Sequence, residues 1–185
     1  MAEPGQSEQQ KAPSENPCIP VTKKAVDNAL TSIAKDANRA MDNEETVMKT
    51  ENPMLYLGFR NFMNLYKQID QNNAMEGATY TYRILREQAS ISVKSVPKVT
   101  SDIWKTFLRD MIERLEKGSS VGEASETYNE KIKEITEQDH EFGQALRELT
   151  KYRAGKNHFN FGALCVYMPI KHAQEAEAMN QHLQK

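Results

Sequence analysis

An acid set into an apolar helical stripe is the strongest chemical anomaly in this 185-residue sequence. Asp139 interrupts the series Tyr128, Ile132, Ile135, Phe142, Leu146 and Leu149, and His140 is its neighbour. A carboxylate in such a seam costs on the order of several kcal/mol unless it is paired or hydrated. It can pair with a base on another helix, fix the register of a bundle, or reach the edge of the seam. General acid–base catalysis needs a second group at a known distance, and the sequence supplies none.

The other chemistry-bearing residues are scattered. His140, His158, His172 and His182 include no pair at the i, i+4 spacing of a helical zinc site, and there is no Cys-x-x-Cys. Gly118 and Gly122 lack the Lys-Ser/Thr that completes a phosphate loop. Cys165 has no base beside it, and no Gly-x-Ser-x-Gly elbow is present. The expectation is a protein that is not an enzyme, with no metal and no cofactor.

Charge is more informative locally than in total. The chain carries 24 basic and 26 acidic residues, a net of −2, which gives no global reason to expect a polyanionic partner. Yet residues 123–141 hold seven acids and two bases, while residues 147–158 hold Arg147, Lys151, Arg153 and Lys156 against Glu148 alone. Helix electrostatics explains such a gradient, at about 0.3–1 kcal/mol per charge near a helix end. The interleaved Tyr152, His158 and Phe159 also suit a basic-aromatic patch for a nucleic-acid backbone, with Lys94, Lys98 and Lys105 as further contributors.

These residues must be positioned by helices. Four of the seven prolines fall in the first 20 residues, so residues 21–185 keep three prolines and seven glycines, too few for a turn-rich β fold. The expected organisation is a disordered tail over 1–20 and one all-α domain over 21–185, a bundle of about five to six helices. The first helix starts near Thr22, with Val26, Leu30, Ile33, Ala37 and Met41 at helical spacing. Residues 42–53 read as a polar connection ending at Asn52-Pro53, and a second helix spans about 54–71, with Asn72-Asn73 and Gly77 marking its end. Residues 78–96 fit either short strands or a helix; the lack of turn chemistry favours a helix over 75–89 and an extended segment to Pro97. A helix over 101–117 is capped by Thr100 or Ser101 and carries Trp104 as a core anchor. A long helix over 122–153 carries the seam. Beyond it lies an apolar segment, Phe159 to Ile170, and a short terminal helix from Pro169.

The seam steps by four and three for about three heptads. It can serve the chain's own bundle or a partner helix. The first functional expectation is therefore a structural or protein-interaction subunit, a homo-oligomer or a component of a larger assembly or virion. Its contacts would come from Tyr128, Ile132, Ile135, Phe142, Leu146, Leu149, Phe159 and Phe161. The alternatives are a coat- or nucleoprotein-like subunit binding nucleic acid through Arg147, Lys151, Arg153 and Lys156, and a regulator that holds a partner helix in a groove. Two cysteines, Cys18 and Cys165, make no disulfide framework, and the N-terminus has no signal-peptide pattern. The longest apolar run is about half the ~20 residues of a membrane helix. A cytoplasmic or other thiol-reducing location without membrane association is expected.

Overall fold

The computed structural model describes residues 20–65, 69–117 and 121–183, without the side chains of 114–117, 121–129 and 182. The described residues form eight α-helices and no strand: α1 (Lys23–Lys35), α2 (Ala37–Glu51), α3 (Pro53–Leu65), α4 (Gln71–Ile91), α5 (Ser101–Lys117), α6 (Val121–Gln138), α7 (His140–Thr150) and α8 (Lys156–Leu183). The all-α class holds, with more helices than the five to six expected. The tail expected over 1–20 falls, up to residue 19, outside the described residues.

The additional helices come from aspartates that restart a helix inside a continuous apolar period. Asp36 takes an extended conformation and accepts a hydrogen bond from the Arg39 N–H, so the expected first helix ends at Lys35 and α2 begins. Residues 42–51 continue α2 rather than forming a polar connection. Asp139 likewise divides the long helix expected over 122–153 into α6 and α7. Asn52-Pro53 does break the chain, and Pro53 opens α3, where its missing N–H is not needed. Asp70 caps α4 through the Asn73 N–H, and Thr100 caps α5 through the Ile103 N–H.

Two helices organise the core. In α8 every residue from Phe159 to Tyr167 is buried, so this stretch, apolar except for Asn160, must be covered by several neighbours. Its closest partner is α4. Gly77 lies against the Phe159 carbonyl, and Gly162 lies against the Ala74 carbonyl. With no Cβ at either position, the two backbones come into direct contact. Gly77 is therefore not the end of a helix, as its type suggests, but the point where α4 crosses α8. Helix α8 also runs through Pro169, which costs one backbone hydrogen bond; its second half is not the separate helix expected.

The remaining helices close around this pair. Helices α1 and α2 cover α4, while α3, α5, α6 and α7 contact α8. Phe59, Phe62, Phe142, Phe159, Phe161 and Tyr82 are all buried to 1% exposure or less, each contributing about 1.5–3 kcal/mol of burial. Trp104, as expected, is a core anchor at 6% exposure, lying across Gly58 of α3 and beside Phe107.

Buried polar residues tie distant segments together. Asn52, 1% exposed, donates to the Tyr82 hydroxyl and the Pro97 carbonyl and accepts from the Val99 N–H. This fixes the non-helical segment after α4 across the α2–α3 junction. Glu44, 2% exposed, receives Arg86 through two hydrogen bonds of 2.8 and 2.7 Å, with Arg83 at 3.6 Å. A buried carboxylate is tolerated there because both its oxygens are engaged.

Candidate functional site

Asp139 is 5% exposed, so it does not reach the edge of the seam. One carboxylate oxygen accepts the Val21 N–H at 3.0 Å and the other accepts the Tyr167 hydroxyl at 2.9 Å. Burial pushes its carboxyl above the usual range, opposed by these two hydrogen bonds and by Lys171. The role is to join three segments: the α6–α7 corner, the central helix α8, and the start of the described chain. Phe142 stacks on Tyr167 at 4.4 Å beside it. Gly143 fits against Thr136, allowing α7 to fold back on α6. His140 is exposed and makes no part of this cluster.

The seam residues are used by the chain's own core. Ile132, Ile135, Phe142 and Leu146 are buried, and Leu149 is half-buried. Phe159 and Phe161, expected to offer an apolar contact surface, are at 0% and 1% exposure. Turning the corner at Asp139 brings both halves of the seam onto the bundle, so none of these side chains faces solvent as an open stripe. The side chain of Tyr128 lies outside the described residues.

The basic patch is divided between structure and surface. Arg153 pairs with Glu76 and lies 4.6 Å from the Phe159 ring centroid, which attaches the α7–α8 loop to α4. Arg147, Lys151 and Lys156 are exposed. Tyr152, between two of them, is 91% exposed, with the Lys151 ammonium 5.4 Å from its ring. His158 accepts the Asp70 N–H at Nδ1 and thereby positions the same loop.

Two surfaces emerge that the sequence did not single out. On α3, Met54, Leu57 and Leu65 are 41%, 52% and 75% exposed, while Leu55, Phe59, Phe62 and Met63 on the inner side are fully enclosed. The spacing 54, 57, 65 places the first set on one outer side. Apolar type alone does not separate the two sets in the sequence. The other surface is a groove of about 500 Å³ where the ends of α4 and α8 part above residues 94–98. Leu85, Val96, Ile170 and Ala178 contribute an apolar lining; Lys94, Lys98, Gln174 and Glu177 are among its polar members.

Among the described residues, no group of three or more His, Cys, Asp and Glu side chains could hold a metal. None of the described helices is long and apolar enough to cross a membrane. Cys165 is fully enclosed, and burial pushes its thiol well above the ordinary range. Comparison with known protein families, with curated proteins and with solved structures finds no match for this chain.

Proposed function

We propose that this chain is a non-catalytic structural subunit that self-associates through the outer side of α3. One observation carries the reading: three large apolar side chains, Met54, Leu57 and Leu65, stand exposed on a helix whose inner side already fills the core. Covering such a row on a second copy removes apolar surface from water at about 25 cal/mol per Å². The buried state of the nucleophilic Cys165 and of Asp139 supports the non-catalytic part, since neither side chain is presented to a substrate.

Light scattering across a concentration series tests it. The wild type should reach a mass that is a multiple of 21.1 kDa. Leu57→Glu with Leu65→Glu should remain a single chain with unchanged helical content. A wild type at single-chain mass at every concentration refutes the reading.

The exposed Tyr152 with its neighbouring cations favours a second reading, an interface for single-stranded nucleic acid. Such binding should weaken steeply with salt. It should be abolished by Arg147→Glu, Lys151→Glu and Lys156→Glu together, and weakened by Tyr152→Ala. Arg153 is left unaltered because its pairing with Glu76 serves the fold. Binding that survives the triple change removes this patch.

A further inference from the structure

We infer that the groove between the ends of α4 and α8 binds an extended segment of a partner protein, in which an apolar residue has an acidic residue two positions to either side. The inference concerns a different surface from the outer side of α3. It rests on residues 94–98, a continuous run that lines the groove. Side chains of an extended chain alternate between two faces, so a lining that includes every residue of a run includes its main chain.

Burial follows the period of an extended chain. Pro97 and Val99 are buried, while Lys98 and Thr100 are exposed and Val96 is half-buried. The main-chain polar groups of such a run also alternate, those of successive residues pointing to opposite edges. One edge is occupied: Asn52 donates to the Pro97 carbonyl and accepts from the Val99 N–H, and Asn52 is not part of the groove lining. The opposite edge therefore belongs to Val96 and Lys98 and borders the groove. Among the described residues, the Val96 N–H and carbonyl and the Lys98 N–H have no hydrogen-bond partner. An unpaired edge of this kind accepts a further strand through main-chain hydrogen bonds. The turn that delivers the run to the groove is strained. Val93 has φ 53°, a region that a β-branched residue avoids, and the Lys94 N–H closes the turn on the Ala89 carbonyl.

Side chains set the character of the occupant. Lys94, Val96 and Lys98 fall on one face by the two-residue period. Val96 packs on the core, as does Leu85 across the groove, so the middle of the site is apolar. Lys94 and Lys98 flank it, four residues or about 13 Å apart at 3.3 Å per residue. Both are exposed, and neither forms an ion pair among the described residues. Glu177, the acid of the lining, stands on the α8 wall and leaves the lysines in excess. Cross-strand neighbours on one face follow the same two-residue step. A paired occupant thus sets an apolar side chain opposite Val96 and carboxylates opposite Lys94 and Lys98.

The test titrates the full chain into a fluorescein-labelled peptide, Gly-Glu-Thr-Leu-Thr-Glu-Gly with blocked ends, read by fluorescence anisotropy. Versions with valine, isoleucine or phenylalanine in place of the leucine are run beside it. Binding with a Kd below about 1 mM is expected for at least one version; no binding by any of them at that concentration overturns the proposal. Lys94→Glu with Lys98→Glu should weaken binding at least about tenfold, and a peptide with lysines in place of both glutamates should bind that variant at least about tenfold better than the wild type. Both side chains are exposed and unpaired, so the change spares the fold, as circular dichroism should show. Binding indifferent to the charge reversal overturns the proposal. Methylating the peptide nitrogen of the central residue, or of the threonine after it, removes the donor to the Val96 carbonyl for antiparallel or parallel pairing respectively. One of the two should weaken binding at least about tenfold; if neither does, strand pairing is refuted. Displacement of the peptide by single-stranded DNA, with no effect of methylation, assigns the lysines to nucleic acid and overturns the proposal. A bound fraction that falls as the chain is concentrated gives the groove to a second copy and does the same. Repeating the titration with Leu57→Glu and Leu65→Glu keeps the result independent of self-association through α3.

Discussion

Replacing Gly162 by alanine opposes two effects of different sign and so tests the central crossing. In an ordinary helix interior, alanine is favoured over glycine by about 1 kcal/mol, and Gly162 lies well inside α8. Here the added methyl would lie inside the van der Waals envelope of the Ala74 carbonyl, a backbone group of α4 that cannot rotate away. Relief requires α4 and α8 to separate along the contact where Gly77 meets Phe159 and Ala163 and Gly162 meets Ala74, all of them buried. Overpacking a tight core costs about 1–3 kcal/mol, and separating two backbones belongs at or above the upper end. After the propensity gain, a net loss of about 2–3 kcal/mol is expected. That corresponds to about 4–12 °C in melting temperature for a domain of this size. Denaturant unfolding should show a lower midpoint with an unchanged slope. Gly77→Ala, at the same crossing, should behave similarly, and the double change should cost less than the sum because one separation relieves both clashes. A Gly162→Ala protein as stable as the wild type, or more stable by the propensity increment, would refute the crossing.

Two further predictions concern Asp139 and Val93. Burial holds the folded Asp139 carboxyl above its ordinary 3.8, so the fold binds this proton more readily than the unfolded chain does. The group's contribution is therefore most favourable below 3.8 and falls as pH rises through the folded value, beyond which the full cost of the buried charge remains. Asp139→Asn should flatten that part of the stability–pH curve and stay within about 1 kcal/mol of wild type at pH 7, since an amide can still accept from Val21 and donate to Tyr167. Asp139→Ala should lose about 1–3 kcal/mol by removing the acceptor that both donors share; a wild-type pH slope in the asparagine variant would contradict this assignment. Val93→Gly should stabilise the chain by about 1 kcal/mol in thermal unfolding, because it removes left-handed strain from an exposed residue. A loss of stability would mean that the valine side chain contributes more than its backbone costs.

The sequence was informative where local chemistry decides structure. Scarcity of glycine and proline outside the first 20 residues implied helices, and α5 occupies the expected 101–117 span with its threonine cap. The helical preference for 75–89 over two short strands also holds, as part of α4. Long-range contacts set the rest. Asp139 looks like a defect in a heptad seam, and only the approach of Val21 and Tyr167 makes it a joint that turns the chain. Gly77 reads as a helix end because its type favours turns, whereas here the missing side chains of Gly77 and Gly162 let two helices touch. Pro169 suggested a helix start, yet the surrounding core holds α8 continuous through it. The candidate surfaces were the least legible. Apolar residues mark a core face and a contact face alike, so the seam residues drew attention while Met54, Leu57 and Leu65 did not. An aspartate inside an apolar period was the one available signal for the breaks at 36 and 139, given its preference for helix starts.

Hydroxyl-radical footprinting of the full chain, at concentrations on either side of its association midpoint, measures most directly which surface meets another copy. Met54, Leu57 and Leu65 should be labelled in dilute solution and protected in concentrated solution. Ile132, Ile135, Phe142 and Leu146, buried within the single chain, should stay protected at both. Constant labelling of the α3 residues, with seam residues becoming exposed on dilution, would contradict the account and return the interface to the heptad seam.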